Sequence, residues 1–557
     1  MLKEIYLPRF PNKKSYYLFL LLLICFAVVL RAIYFNGFFG SDDIEYNRAA
    51  FTLANGDFYL DSHHSKRLGL ILPTALAFKV FGFSEVSSVL FLLICSIANI
   101  IIAFIAGTIF FNRDIGLLAS LLMLFLPIDS IYATLLTPDL PLVTFISTSG
   151  ILFIYTETHV KRYKYSLSFL TGLSIGWSYL LKETAILVLF ILCIWILIIT
   201  ISHKKFEVSW LFIGLGFTLI LLLEFGFYYY KTGNLFERLL TVNNATQGIS
   251  RRLELTYNGA LYKRLTYAIP YILLRGNYIF GFYFYLVPGG ILYAILCKSK
   301  GLKYFIFWFI SLYLILNFGS TSLKSYIPLL ATQRHFYPLI FPGIIIVSFY
   351  LYDAYKGILA KNHVKTKSFC ISLIAIDLIM IFLNLFEHTI TDIMFCSLLS
   401  ISILFCIYII THHEKEIDKT RYLIPILLVI IFLHSFYVVR AENKSIRKLT
   451  HNERTAISIF GTPPRKKIYT DCATKGVLEY LYAYRYDNVI VDFMNTSVKD
   501  FSDCYIIINL ENLVELNKFY GTNIPDFVKN PPDTWKITKK FTTPKGGSYI
   551  IMQAGKL

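Results

Sequence analysis

The chain has 557 residues, 56% of them hydrophobic and only 16% charged, with a formal net charge of +18 and a mean hydropathy of +0.60. A soluble globular protein of this length carries more charge and fewer unbroken apolar runs, so that class is excluded. The positive charge lies mostly in short turns between apolar runs, which the positive-inside rule explains, and this removes the case for a nucleic-acid partner.

Lys3, Arg9, Lys13 and Lys14 precede a first apolar run with no small-residue cleavage site, which reads as a retained span rather than a removed signal peptide. Runs such as Tyr16–Val29, Val89–Ile105 and Ile186–Thr200, with their flanks, approach the roughly 20 residues that a helix needs to cross the hydrocarbon. The pattern predicts a polytopic α-helical membrane protein with thirteen transmembrane helices, near 15–34, 85–111, 115–136, 138–157, 165–181, 184–202, 208–230, 277–297, 303–319, 335–355, 369–386, 391–411 and 421–439. Basic turns at Arg113, Lys161–Lys164, Lys204-Lys205, Lys298–Lys300, Lys356–Lys367 and Lys415–Arg421 alternate with turns poor in Lys and Arg. That alternation puts the N-terminus in the cytoplasm and the C-terminus outside, most simply across the plasma membrane.

Residues 1–440 read as the transmembrane domain, with interfacial helices in its outer segments 35–84 (Leu68–Gly82) and 231–276 (Tyr257–Leu274). A third outer segment is the short loop Ser320–Arg334. Residues 441–557 read as a small extracytoplasmic α/β domain. Strand-like Lys467–Asp471, Asn488–Phe493 and Cys504–Asn509 alternate there with helix-like Thr474–Tyr484 and Asn512–Tyr520. A hairpin follows, Trp535–Phe541 and Ser548–Gln553, joined through Thr-Thr-Pro-Lys-Gly-Gly. Seven of the nine cysteines lie in or beside apolar runs as small core residues. Cys472 and Cys504 fall in the outer domain, where an oxidising compartment would let them pair.

The polar residues at span ends carry the chemistry. Asp42 and Asp43 follow span one, Asp129 and Asp139 flank the turn between spans three and four, Lys182 and Glu183 separate spans five and six, and Arg334 and His335 open span ten. Carboxylates and cations beside lipid are costly unless used or paired. Each has a bland reading, since a carboxylate after Pro138 suits a helix N-terminus and Lys182 or Arg334 can snorkel to headgroups. Taken jointly they suit glycosyl transfer from a lipid-phosphate sugar. A carboxylate takes the proton of an attacking hydroxyl, and Lys and Arg hold the leaving phosphate in place of a metal. Spacing does not rank Asp42 against Asp43 as the base. No cofactor is required and no metal is implied, although His63 and His64 are weak candidates for a divalent ion with Asp42 or Asp43. Glu224 and Asp377 lie within predicted spans and are left unassigned.

These residues resemble a family: the C-type membrane glycosyltransferases, in particular the dolichyl-phosphate-mannose protein mannosyltransferase-like group that includes the bacterial lipid A aminoarabinose transferases. The resemblance is carried by Asp42-Asp43-Ile44-Glu45-Tyr46, by Lys66-Arg67-Leu68-Gly69 with Pro73 and Phe81-Gly82, by Leu136–Leu142 around Asp139, by Lys182-Glu183-Thr184-Ala185, and by Arg334-His335-Phe336-Tyr337-Pro338. It implies an inverting transfer from a dolichyl- or undecaprenyl-phosphate sugar to an extracytoplasmic glycan, lipid or protein, with Asp42 as the catalytic acid residue. It places Tyr46, Lys66, Arg67, Asp139, Lys182, Glu183, Arg334 and His335 at the substrate. The Lys-Pro-Pro of the aminoarabinose transferases is absent, Lys66-Arg67-Leu68-Gly69 standing in its place, so that donor and a lipid A acceptor are not implied.

The main alternative is a transporter or flippase of lipid-linked sugars. Such proteins show matching halves with broken helices, and this sequence shows no repeat. A non-catalytic scaffold would not need acids and cations at successive span ends, and an O-antigen polymerase or ligase should lack the acidic pair after span one.

Overall fold

A computed structural model describes residues 13–58, 62–159, 162–242, 261–275, 277–320, 326, 328–329, 332–385, 391–411, 422–486, 488–496, 501–543 and 546–555. Among these, nine helices are long and apolar enough to cross a membrane: Lys14–Ile33, Glu85–Phe110, Asp139–Thr158, Glu183–Ser202, Ser209–Thr232, Lys300–Phe318, Gln333–Leu359, His363–Leu383 and Leu423–Leu449. Each answers to one of the expected spans. The other four expected spans are helical in shorter or more polar pieces. Segment 115–136 is split into α5 (Arg113–Leu124) and α6 (Pro127–Tyr132), because Pro127 lacks the N–H that would continue α5. Segment 165–181 is α8 (Lys164–Leu181), rich in Ser, Thr and Gly. Segment 277–297 is interrupted at Gly281, and 391–411 is the helix Thr391–Thr411.

Contacts divide the chain into two units. The first comprises residues 1–34, 93–133 and 138–440, and the second 35–92, 134–137 and 441–557.

The first unit is the helical body. Its opening helix α1 (Lys13–Ile33) is fixed near both ends by polar contacts. Arg31 ion-pairs with Asp129 of α6 at 2.7 Å, and Tyr16 donates to Asp114 of α5 at 2.7 Å. Those anchors lie fifteen residues apart, about 22 Å along a helix. Asp129 is fully buried and also accepts from Asn99, Ser96 and the Tyr337 hydroxyl, so its charge is neutralised and hydrogen-bonded as a buried carboxylate requires. The closest helix pair is α8 with α10 (Ser209–Thr232). A Cβ on Gly172 would run into the Ile213 carbonyl, and one on Gly216 into the Phe169 carbonyl. Small residues let membrane helices approach backbone to backbone, where dispersion rather than the hydrophobic effect holds them. Among the described residues, Glu224 pairs with Arg238 at 2.6 Å, Asp377 with the Tyr285 hydroxyl, and Asp353 with Lys365 at 2.7 Å.

The second unit joins α2 (Asp42–Ala54), a single 3-10 turn His64–Lys66, α3 (Leu68–Phe81) and the first turns of α4 (Glu85–Phe110) to the C-terminal residues. Its sheet has the order β2-β1-β3-β5-β4, from β1 (Ile468–Thr470), β2 (Ile490–Asp492), β3 (Cys504–Asn509), β4 (Trp535–Thr542) and β5 (Ser548–Ala554). β1 pairs in parallel with β2 and β3, while β5 runs antiparallel to both β3 and β4. The helix Cys472–Leu481 makes the crossover from β1 to β2, and Leu510–Tyr520 follows β3. These elements match the sequence expectation within a few residues. The added helix His451–Phe460 was not anticipated.

The Cys472–Cys504 pairing that the sequence left open is not made, and both thiols are free. The register gives the reason. Ile468 faces Tyr505 in the parallel pair, so Cys504 lies at the start of β1 and Cys472 just past its end. Five residues along the strand direction separate those levels by roughly 16 Å, well beyond disulfide reach.

Candidate active site

The second unit holds the acidic pair. Gly40 has φ 82°, a left-handed conformation that glycine enters without a Cβ clash, and the chain turns there into α2. Three carboxylates, Asp42, Asp43 and Glu45, occupy the first turn of α2, where the helix dipole favours negative charge. The two adjacent acids then diverge. Asp43 is fully buried and turns back on the loop: Oδ2 accepts from the Phe39 amide at 2.8 Å, and Oδ1 from the Ser41 amide at 2.7 Å. Burial pushes its carboxyl up to about 6, against the pull of those backbone N–H groups. Asp42 keeps 26% of its side chain exposed and faces His64, with Oδ1 3.5 Å from Nε2.

One helical turn on from Asp42, Tyr46 presents the same face. Its ring meets the His64 edge at 5.3 Å between centroids, and its hydroxyl accepts from Arg67. Lys66 is fully buried, and His63 stacks on His64 with centroids 3.8 Å apart. Among the described residues no three His, Cys, Asp or Glu side chains converge as a metal site requires. Helix α2 is seated on apolar contacts, Ile44 and Phe38 against Val477 and Tyr480, and Arg48 bonds Glu479. A bidentate pair, Arg454 to Glu85 at 2.7 and 2.9 Å, ties the start of α4 to the helix His451–Phe460.

The first unit holds the cationic group. Asp139 opens α7 (Asp139–Thr158) and is 2% exposed, with Lys182 Nζ 2.6 Å from its Oδ1. The charges of Arg334 and His335 act on the same carboxylate, and the His335 Nδ1 lies 3.0 Å from the Thr332 hydroxyl. Asp139, Lys182 and His335 line one pocket, together with Leu312, Leu316 and Pro338. Val188 also borders a second pocket, lined by Ile154, Trp195, Phe307 and Trp308. The first is polar and cationic at its head, and the second is walled by hydrocarbon and aromatic rings.

Lys182 and Glu183 part company because Lys182 is extended (φ −158°, ψ 133°), which sends successive side chains to opposite sides. Glu183 turns to Arg238 at 2.9 Å, and Arg238 also binds Glu224 and donates to the Tyr179 carbonyl at 2.6 Å. Thus Asp139, Lys182, Arg334 and His335 come together as the sequence suggested, whereas Glu183 belongs to a neighbouring ion cluster. Asp129, grouped with these acids in the sequence, is a buried anchor for Arg31. Sequence reasoning missed Arg238. Its signal is weak: an arginine just past a span whose only acid is Glu224.

Together the helical body, the C-terminal sheet and these polar clusters define a polytopic membrane protein that resembles the protein-mannosyltransferase-like membrane glycosyltransferases. Residues 71–227 match the family described as dolichyl-phosphate-mannose-protein mannosyltransferase. The fold is similar to that of ArnT from Cupriavidus metallidurans bound to undecaprenyl phosphate, with a TM-score of 0.56 and 11% identity over 96% of this chain and 98% of that one. The apo form of the same ArnT gives 0.52, with 13% identity over 96% and 97%. The apo oligosaccharyltransferase of Archaeoglobus fulgidus gives 0.52, with 10% identity over 97% of this chain and 74% of that one. No curated protein matches the chain.

Proposed function

We propose that this protein transfers a sugar from a polyprenyl-phosphate donor to a hydroxyl of an extracytoplasmic acceptor, with inversion at the anomeric carbon. The observation that carries the reading is a charged cluster beside an apolar pocket, the two bordered in common by Val188. Lys182 pairs with the Asp139 carboxylate, on which the charges of Arg334 and His335 also act, and an apolar pocket walled by aromatic rings lies next to it across Val188. That combination suits one chemical class, an anion on a long hydrocarbon tail. Burial of each methylene is worth about 0.8 kcal/mol, so the tail supplies affinity, and Lys182 and Arg334 supply charge-assisted contacts to phosphate. The undecaprenyl phosphate bound by the ArnT of similar fold supports the same donor class.

In the reaction the acceptor oxygen attacks the anomeric carbon while its proton passes to the Asp42 carboxylate. The bond between the anomeric carbon and the phosphate oxygen breaks, and its electron pair leaves with the lipid phosphate, which gains a negative charge. Lys182 and Arg334 stabilise that charge as it develops. Asp139 holds the Lys182 ammonium in position and is not itself a base. Asp43, buried and bonded to the loop amides, fixes the turn that presents Asp42. Arg67 and Tyr46 build the wall beside it. The test is incubation of purified protein with a panel of radiolabelled polyprenyl-phosphate sugars, following release of sugar to water or to added acceptors. Turnover of at least one donor is expected; a panel left wholly intact counts against the reading.

A further inference from the structure

The contact that faces Asp42 has no part in the scheme above. Asp42 and Tyr46 share one face of α2, and the 3-10 turn His64–Lys66 packs along it. The Tyr46 ring stands nearly perpendicular to His64, its hydroxyl held by Arg67, and the His63 ring lies tilted against His64. The His64 Nε2 points at Asp42 Oδ1 across 3.5 Å, and 16% of the side chain stays open to solvent. An imidazole held between two aromatic neighbours, with one nitrogen 3.5 Å from a candidate base and part of its side chain open to water, is placed to carry a proton away.

We propose that His64 is the proton outlet of the transfer reaction, a positioning residue that acts through Asp42. The inference rests on Asp42 being the base. With its proton on Nδ1, the resting imidazole offers Nε2 to Asp42. The acceptor hydroxyl gives its proton to the Asp42 carboxylate as the new glycosidic bond forms and the phosphate departs. Asp42 then passes that proton to Nε2, and the imidazolium loses a proton to water, which restores both groups. Nothing is oxidised or reduced, and the one proton released matches the one charge gained by the lipid phosphate.

The relay requires a neutral His64, so the transfer rate falls as pH drops through the imidazole pKa, ordinarily about 6.5. The charged groups around it oppose one another. On α2 are Asp42, Asp43, Glu45 and Arg48; on its own segment, His63, Lys66 and Arg67; Lys79 lies near the far end of α3. Lys475 and Glu479 sit on the helix packed against α2.

The experiment uses full-length protein in detergent or nanodiscs and the polyprenyl-phosphate sugar turned over in the panel. His64→Gln keeps a hydrogen-bonding side chain but cannot accept a proton. It should lower kcat at pH 7 by about tenfold or more, leave KM for the donor near wild type, and lose the acid limb between pH 5 and 8. Added imidazole should restore rate to His64→Ala. A His64→Gln enzyme with the wild-type rate and pH profile overturns the relay. A second measurement needs no change at His64: its carbethoxylation against pH, read by peptide mass spectrometry. Asp42→Asn should lower the midpoint of that curve, because the carboxylate that favours the imidazolium is gone; an unmoved midpoint also overturns the relay. The two failures are separable. If Asp42→Asn transfers sugar at full rate, the base assignment falls and the relay with it. If Asp42→Asn is inactive and His64→Gln is normal, only the relay falls.

Discussion

Adjacent residues of one type take different jobs here because the backbone gives them different surroundings. Asp42 and Asp43 are alike in sequence, yet one is fully buried under loop amides and the other is a quarter exposed and faces an imidazole. Asp43→Asn puts an amide NH₂ where one carboxylate oxygen accepts from backbone N–H groups, so it should destabilise the protein by about 1–3 kcal/mol, read as a lowered unfolding midpoint. Asp42→Asn should leave that midpoint within experimental scatter. The same logic separates Lys182 from Glu183. Losing the Lys182 ammonium removes a charge-assisted contact worth about 1.5–3 kcal/mol, which is roughly ten- to hundred-fold in turnover. Lys182→Gln should show that loss in kcat/KM; a variant with wild-type kcat/KM takes Lys182 out of the phosphate site. The sequence showed the candidates and their order but not which of two neighbours faces inward. That choice is made by the turn at Gly40 and the extended backbone at Lys182.

Helices were legible wherever apolar runs were long, but breaks and partners within them were not. Segment 115–136 is apolar throughout, but Pro127 breaks it, and the break is what carries Asp129 inward to Arg31. Helix α8 depends on Gly172 and Gly176, spaced as membrane helices space their close contacts, a pattern present in the sequence and meaningful only once α10 is known as its partner. Gly172→Val should force α8 and α10 apart and cost about 1–3 kcal/mol as overpacking. Because Lys182 ends α8, the variant should also lose transfer activity; full activity at wild-type stability would remove this helix contact from the account. The α/β elements were legible because strand and helix periods alternate cleanly over short distances. Whether Cys472 and Cys504 pair was left open because register cannot be read from spacing.

For the molecule as a whole, composition alone gave the membrane class, while the grouping of residues 35–92 with the C-terminal sheet rests on contacts across some four hundred residues, such as Phe38 with Tyr480, that no local pattern announces. The same unit carries a pH dependence. Glu453 is 6% exposed, one of its carboxylate oxygens has no hydrogen-bond partner among the described residues, and burial pushes its carboxyl up to about 7, with Asp471 and Glu511 adding to the rise. A carboxyl whose folded pKa is raised binds its proton more tightly folded than unfolded. Its contribution is therefore full below about 4.5 and is lost as pH rises through about 7. Stability of the wild type should fall across that window by up to about 3 kcal/mol, and Glu453→Gln should flatten the fall. Unfolding midpoints of both proteins between pH 4.5 and 8 check it; parallel curves would contradict the assignment.

The central claim is that Asp42 accepts the acceptor proton in a transfer from a polyprenyl-phosphate sugar. It is tested most directly by single-turnover release of labelled sugar from the preferred donor, wild type against Asp42→Asn, with donor binding measured on the same preparations. Binding within a few-fold of wild type together with a rate lowered by about a hundredfold or more is the predicted result. An Asp42→Asn protein that binds donor and releases sugar at the wild-type rate would contradict it.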